Sequence, residues 1–195
     1  MLALLILGTT QAHANQIDRN GVVRDDDGSM IYMQQYDAMS ACPKHTHLPT
    51  AHELAKQAGA LGAQGILKNA NGSEVTVQQV NSNQAVVPNG YYEVKAINSD
   101  NSRDDFYFND QGYKNPEDHL GNHLGDAFWS SSLFYTPKDD TFSSDKLHAF
   151  VLIGDIGHIS SGRRDEIHSV RCIRGRGKRV DPSLEVIETN IVGGR

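Results

Sequence analysis

Two cysteines, Cys42 near the start of the chain and Cys172 near its end, are the feature that most constrains this sequence of 195 residues. If they form a disulfide, a segment near the start of the domain is tied to its last strand. Disulfides persist in oxidising compartments and are rare in the cytosol. The pair would therefore indicate an exported single-domain protein whose ends meet, and it would leave neither thiol available as a nucleophile.

The first residues have the pattern of a signal peptide. An apolar run at 2–8 is followed by Ala12-His13-Ala14, which fits the Ala-x-Ala pattern for cleavage. The run is shorter than the ~20 apolar residues that span a bilayer, and no later segment is long or apolar enough. No basic residue precedes the run, which leaves open that the leader begins upstream. We therefore expect residues 1–14 to be removed and the mature protein to be periplasmic, extracellular or on the cell surface.

Composition and charge limit the partners of the remaining chain. About 180 residues suit one domain with a sizeable core. The formal net charge of −6 disfavours a general role in nucleic-acid binding. One local basic cluster consists of Arg171, Arg174, Arg176, Lys178 and Arg179. We interpret it as a solvated strand end and tail rather than a patch for an anionic ligand.

Local patterns predict helices early in the chain and strands later. Thr50 and Glu53 form a capping box, so a helix is expected over about 51–58, ending near Gly59. A shorter helix is expected at 36–41, before the Cys42-Pro43 break. Strands are expected at 30–33, 74–77, 91–97, 127–132, 149–153 and 167–173, with a turn and return at 155–164. Loops are expected at 59–72, 98–126 and 136–146, the second pinned at 106–108.

Four segments in a fixed order resemble a known family. They are the helix that ends at Cys42-Pro43, His47-Leu48-Pro49-Thr50 with Glu53, Phe128-Trp129-Ser130-Ser131-Ser132, and Val170-Arg171-Cys172-Ile173-Arg174. Together they resemble the bacterial C-type-lectin-like modules of the FISUMP and Lcl C-terminal domain families, which are distant relatives of the formylglycine-generating enzyme fold. The resemblance covers about residues 30–175. The chain departs from the family pattern before Leu48, where His45-Thr46, ahead of His47, replace the usual Gly-Trp.

The resemblance implies an α+β, C-type-lectin-like fold. It would have two short helices beside a small twisted antiparallel sheet, a long loop region, and ends joined by a Cys42–Cys172 disulfide. The expected organisation is a signal peptide at 1–14, a C-type-lectin-like domain at 15–175 and a C-terminal extension at 176–195. The activity of formylglycine-generating enzymes is not expected, because it needs a further reactive cysteine arrangement and this chain has no spare thiol.

Histidines raise the alternative of a metal-dependent hydrolase. The candidate ligands are His45, His47, His52, His119 and His123. A catalytic zinc site needs three protein ligands. The pattern His-Glu-x-x-His is absent, because Lys56 stands where the second histidine would be. We favour structural roles, with His47 packed under Leu48-Pro49-Thr50 and His52 pointing outward from the first helical turn.

The favoured function is that of a non-enzymatic binding module for adhesion or recognition of a glycan or a protein. The loops at 98–126 and 136–146 are expected to form the ligand surface. Candidate ligand-binding residues are Trp129, Tyr135, Asp139 and Asp140. Trp129 suits either a sugar-stacking platform or the core, and the family strand favours the core. No cofactor is expected; calcium stays open as an alternative, with no binding motif behind it. The oligomeric state also stays open.

Overall fold

The structure is a computed structural model that describes residues 16–109, 111–112, 126–138 and 141–175, with backbone alone for 135–138 and 141–146. The predicted signal peptide and the predicted extension at 176–195 lie outside the described residues. Within the described part, the domain is mixed α+β with three helices, so the predicted class is confirmed. None of the described helices has the length and apolar character needed to cross a membrane.

The helices are short, and the strands vary widely in length. The helices are α1 (Gln35–Ala41), α2 (Ala51–Ala60) and α3 (Val77–Asn81). The early strands are β1 (Gln16–Ile17), β2 (Val23–Arg24), β3 (Tyr32–Met33) and β4 (Thr46–His47). The later strands are β5 (Tyr91–Ile97), β6 (Arg103–Asn109), β7 (Ala127–Lys138), β8 (Thr141–Ile153), β9 (His158–Arg163), β10 (His168–Ser169) and β11 (Ile173–Arg174).

Seven of the described strands form the main sheet. Their order is β3-β10-β7-β5-β6, with β8 paired to β7 and β9 paired to β8. The pairs are antiparallel except β10 with β7, which is parallel, so the predicted antiparallel sheet needs one correction. Two further ladders join β1 to β2 and β4 to β11. Strands from the first part of the chain, such as β3 and β4, therefore pair with strands from its last part, β10 and β11.

The disulfide holds this meeting of the ends. Cys42 follows α1 and bonds to Cys172, with 5.6 Å between their Cα atoms, which confirms the predicted pair. The amide of Cys172 donates to the carbonyl of Gly21 at 2.8 Å. Gly21 has φ +82°, and a Cβ there would overlap the Cys172 carbonyl oxygen, so the close approach requires glycine. The turn after β1 is thus fixed against the last strands.

The core lies on both faces of the sheet, with one helix on each. Successive strand residues point to opposite faces. Phe128 and Leu152 pack with Leu54 and other residues of α2, whereas Trp129 and Val151 belong to the cluster that α1 covers. The two predicted helices are confirmed, although α2 continues through Gly59 to Ala60.

The predicted strand at 74–77 is reduced to an antiparallel bridge between Glu74 and Lys68, because α3 begins at Val77. Thr76 caps this helix: its hydroxyl accepts from the amide of Gln79 at 3.2 Å, and the Gln79 side chain accepts from the Thr76 amide at 3.0 Å. Val75 and Val77 alternate as in a strand, but both pack in a small cluster with Tyr107. The capping box was the stronger signal.

Three predicted loops also contain paired backbone. β6 lies within the region 98–126 and pairs along its whole length with β5, and residues 106–108 are buried there. In the region 136–146, the described residues 136–138 and 141–146 continue β7 and β8, with Thr136 opposite Ser143. In the region 59–72, Ile66 bridges Phe108. The expected last strand is instead divided into β10 and β11 on either side of Cys172.

Candidate functional site

Two reciprocal hydrogen bonds between Thr50 and Glu53, a capping box, hold the first turn of α2. The Thr50 hydroxyl accepts from the amide of Glu53 at 3.1 Å, and the Glu53 carboxylate accepts from the Thr50 amide at 2.8 Å. The neighbouring Ala51 amide donates to the hydroxyl of Ser132 in β7 at 2.9 Å. These bonds fix the direction in which His52, in the same turn, leaves the helix.

His52 points inward, which corrects the prediction that it faces solvent. Its ring stacks on Phe106 of β6, with 4.6 Å between centroids. Its Nδ1 lies 2.8 Å from Asp104 Oδ1, and its Nε2 lies 2.8 Å from Glu74 Oε2. A neutral imidazole carries one N–H, so both contacts are hydrogen bonds only when the ring is protonated. The geometry is therefore that of an imidazolium held between two carboxylates.

The surroundings of His52 favour this charged form. Burial is the largest single influence on the ring and opposes protonation. The hydrogen bond and charge of Asp104, together with the charge of Glu74, outweigh both burial and the nearby Lys56, so the pKa of His52 lies above its ordinary 6.5. The charged ring thereby joins α2, β6 and the segment that precedes α3.

Replacing His52 with glutamine is expected to reduce stability in a pH-dependent way. Glutamine can replace one hydrogen bond but cannot be protonated, so we expect a loss of about 1–3 kcal/mol of unfolding free energy below pH ~6.5. A raised folded-state pKa contributes stability that is complete below the unfolded pKa and is lost as pH rises through the folded pKa. Urea unfolding of both proteins between about pH 5 and 9 should therefore show the difference shrinking with rising pH. A difference that is constant or grows toward alkaline pH would contradict the charged clamp.

An open groove of about 590 Å³ lies beside this histidine clamp. One wall is α2, with Lys56, and the other is the segment 64–68 with Glu74 and Tyr91. Lys56 Nζ lies 3.2 Å from Glu74 Oε1, while the other oxygen of Glu74 faces His52. The carboxylate that lines the groove is therefore held in one orientation by two cationic neighbours.

Two glycines bring the walls of the groove together. Gly65 has φ +73°, and a Cβ on it would lie 3.1 Å from the Cα of Gly59 in α2. A side chain on Gly65 would therefore crowd the helix, whereas a Cβ on Gly59 would make an ordinary contact, 3.5 Å from the Gly65 Cα. Gln64 and Lys68 add exposed polar groups to the same rim. The groove thus combines one aromatic ring, amide and ammonium donors and one fixed carboxylate.

The ligand-binding residues predicted from sequence do not form this groove. Trp129 is fully buried; its Nε1 donates to the Met33 carbonyl at 2.8 Å, and its ring meets the His168 ring edge-on at 4.5 Å. Trp129 is therefore a core residue in this structure and not an exposed platform. The backbone of Tyr135 pairs with Ser144 in the β7–β8 hairpin. Asp139 and Asp140 lie outside the described residues.

The serines after Trp129 have structural partners. The Ser132 hydroxyl donates to Asn98 Oδ1 at 2.7 Å and accepts from the Ala51 amide. The Ser131 amide donates to the Pro49 carbonyl at 2.8 Å, and the Ser130 carbonyl accepts from the Gln35 side chain at 3.1 Å. The pairing register of β7 shifts in this stretch. The irregular strand therefore serves to dock both helices.

The described candidate histidines occupy separate environments. His47 Nε2 lies 3.2 Å from both oxygens of Glu53, and its Nδ1 lies 3.3 Å from the Gly175 carbonyl oxygen. His45 is exposed, and its carbonyl accepts from the Gly175 amide at 3.0 Å. His119 and His123 lie outside the described residues. Among the residues that the structure describes, no three His, Cys, Asp or Glu side chains are grouped to hold a metal ion.

Sequence reasoning missed the groove because its residues come from four separate stretches of the chain. A signal was present in the glycine-rich region 59–72, which was interpreted only as a loop. Comparison of the chain with protein-family models, with curated proteins and with solved structures finds no match. The residues of the site are therefore the evidence for function, since one fold can carry many functions.

Proposed function

We propose that this protein is an exported C-type-lectin-like binding module without enzymatic activity, and that the groove beside α2 recognises a glycan. The observation that carries the proposal is the groove itself. Its carboxylate, Glu74, is fixed in advance by His52 and Lys56, so little ordering is needed on binding. Oriented polar groups beside one aromatic ring suit a sugar, which presents hydroxyl groups and an apolar face.

Two features support the lectin-like and exported parts of the proposal. The disulfide links the end of α1 to the last strands, as the family resemblance implies. A structural disulfide is formed and kept in an oxidising compartment, which agrees with a predicted signal peptide at 1–14. The proposal places the ligand surface beside α2 and not on the predicted loops at 98–126 and 136–146, parts of which lie outside the described residues.

The histidine clamp argues for binding over a metal-dependent hydrolase. A metal ligand must offer a nitrogen lone pair, whereas both nitrogens of His52 face carboxylate oxygens at 2.8 Å. General-base catalysis would equally need one ring nitrogen directed at a substrate. Either chemistry would require the contact with Asp104 or the contact with Glu74 to be broken, and with it one of the links that His52 makes from α2.

Substitutions in the groove are expected to weaken glycan binding. A glycan array would first identify a ligand for the wild-type protein. Tyr91→Ala and Lys68→Ala should each then weaken that ligand about tenfold, or ~1.4 kcal/mol. Lys68 is exposed and can be changed without disturbing the core. Tyr32→Ala is a matched control, because this tyrosine is 49% exposed and lies outside the groove.

Other outcomes of the same measurements would decide against the proposal. Normal glycan binding by both groove variants would mean that the glycan binds outside the groove. If the protein binds a protein ligand and no glycan, the ligand is a protein and the glycan proposal fails. A stoichiometric transition metal that is lost in His45→Ala or His47→Ala would favour the hydrolase.

A further inference from the structure

A second cleft, of about 380 Å³, lies where the turn after β1 meets β4 and β11. Its lining includes Arg19, Arg171 and Arg174. Arg171 and Arg174 belong to the basic strand end recognised in the sequence. Arg19 is about 150 residues away along the chain and is not part of that cluster. The fold brings Arg19 to them, because Val22 bridges Arg171 across the meeting of the chain ends. Three arginine residues therefore line one cleft in a protein of net charge −6.

Among the described residues that line the cleft, Asp18 is the one carboxylate, and it already has hydrogen-bond partners. Its Oδ2 accepts from Arg24 Nε at 2.9 Å and lies 2.8 Å from Arg24 Nη2. Its Oδ1 accepts from the amides of Asn20 and Val22. Arg19 and Arg174 are exposed, and neither forms an ion pair with another residue that the structure describes. Asp18 therefore does not pair with Arg19 or Arg174.

The remaining lining suits a polar ligand larger than a simple ion. Asn20, Thr46 and Gln57 supply neutral hydrogen-bonding side chains, and Ile17 supplies an apolar surface. The volume lies within the usual range for small-molecule sites and greatly exceeds a bare sulfate or phosphate. Hydroxyl groups, a C–H face and an anionic substituent are found together in an acidic sugar.

The walls of this cleft are tied to each other by the backbone. The Cys172 amide donates to Gly21, and Arg174 pairs with Thr46 in the β4–β11 ladder. The Gly175 amide donates to the His45 carbonyl at 3.0 Å. The disulfide closes the same region covalently. Guanidinium groups on such a frame can meet an oxyanion with little loss of backbone freedom.

We propose that this cleft is a second binding site, for a saccharide unit that carries a carboxylate or a sulfate group. Guanidinium forks bind these oxyanions with paired, charge-assisted hydrogen bonds. The neutral side chains beside them receive the sugar hydroxyls. The site is independent of the groove beside α2, and either can fail without the other.

Titration calorimetry with defined ligands tests this site. The probes are a uronic-acid disaccharide, a sulfated disaccharide, the neutral disaccharide, inorganic sulfate and a short aspartate peptide. We expect at least one acidic disaccharide to bind with one-to-one stoichiometry and the neutral one not to bind. Arg19→Gln and Arg174→Gln should each weaken binding about tenfold, and the double variant about a hundredfold. Affinity should fall as salt rises from about 50 to 300 mM.

The controls separate this site from a general charge effect and from the groove. Arg163→Gln removes the same charge from an exposed arginine of β9 and should bind like the wild type. Tyr91→Ala, in the groove, should also leave acidic-disaccharide binding unchanged. Arg19 and Arg174 are exposed, so unchanged melting temperatures should exclude misfolding. Equal binding of sulfate alone, binding of the peptide in place of the saccharides, no binding of either acidic disaccharide, or full binding by the double variant would each overturn the proposal.

Discussion

A variant without the disulfide, Cys42→Ala with Cys172→Ala, is expected to lose about 4–5 kcal/mol of unfolding free energy. The bond joins positions separated by 130 residues, and closing so large a loop removes much entropy from the unfolded chain. The total unfolding free energy of a small domain is about 5–15 kcal/mol, so the variant should be close to unfolding at 37 °C. Urea unfolding of the variant and the wild type without reductant gives the difference directly.

Two measurements check that the effect belongs to the bond. Reduced wild-type protein should unfold at the same urea concentration as the double variant. Peptide mass spectrometry without reduction should find Cys42 joined to Cys172. Two free thiols in protein from an oxidising compartment, or a stability loss below about 1 kcal/mol, would contradict the pairing and the tied ends that depend on it.

Trp129→Ala is expected to cost about 3–5 kcal/mol, the range for truncating a large buried aromatic side chain. The ring is fully buried against the cluster that includes Leu133 and Val151, and its N–H bond to Met33 would be lost as well. Trp129→Phe keeps most of the packing and should cost about 1–2 kcal/mol. Thermal or urea unfolding of the three proteins measures the series.

The same series separates the two roles considered for this tryptophan. If Trp129 is a core residue, folded Trp129→Phe protein should bind glycan as the wild type does, because the ring does not reach the surface. If Trp129 is a ligand platform, the substitution should abolish glycan binding and leave stability unchanged. That second pattern would require a different placement of β7.

Local signals in the sequence predicted local structure well. The capping box of Thr50 and Glu53 forms as expected, and Tyr91–Ile97 is a strand with the predicted bounds. These elements depend on neighbouring residues, whose chemistry is visible in a short window. The disulfide was predicted through the family resemblance, which supplied the long-range information that periodicity lacks.

The errors concern contacts between distant segments. The sequence analysis predicted that the His52 side chain faces solvent. Its partners, Asp104 and Glu74, are distant in the sequence, and no short motif links them to His52. β6 was hidden in a stretch rich in Asn and Asp, and its identity as a strand comes from pairing with β5. Both candidate binding sites arise in the same way, from tertiary juxtaposition.

The order of the strands in the main sheet also determines when the domain can be completed during synthesis. β3 joins the sheet only through β10, and Cys42 waits for a partner made 130 residues later. At about 5–20 residues per second, that interval is roughly 7 to 26 s. Throughout this interval Cys172 has not yet been made, so any disulfide that Cys42 forms with another copy of this protein joins two separate chains.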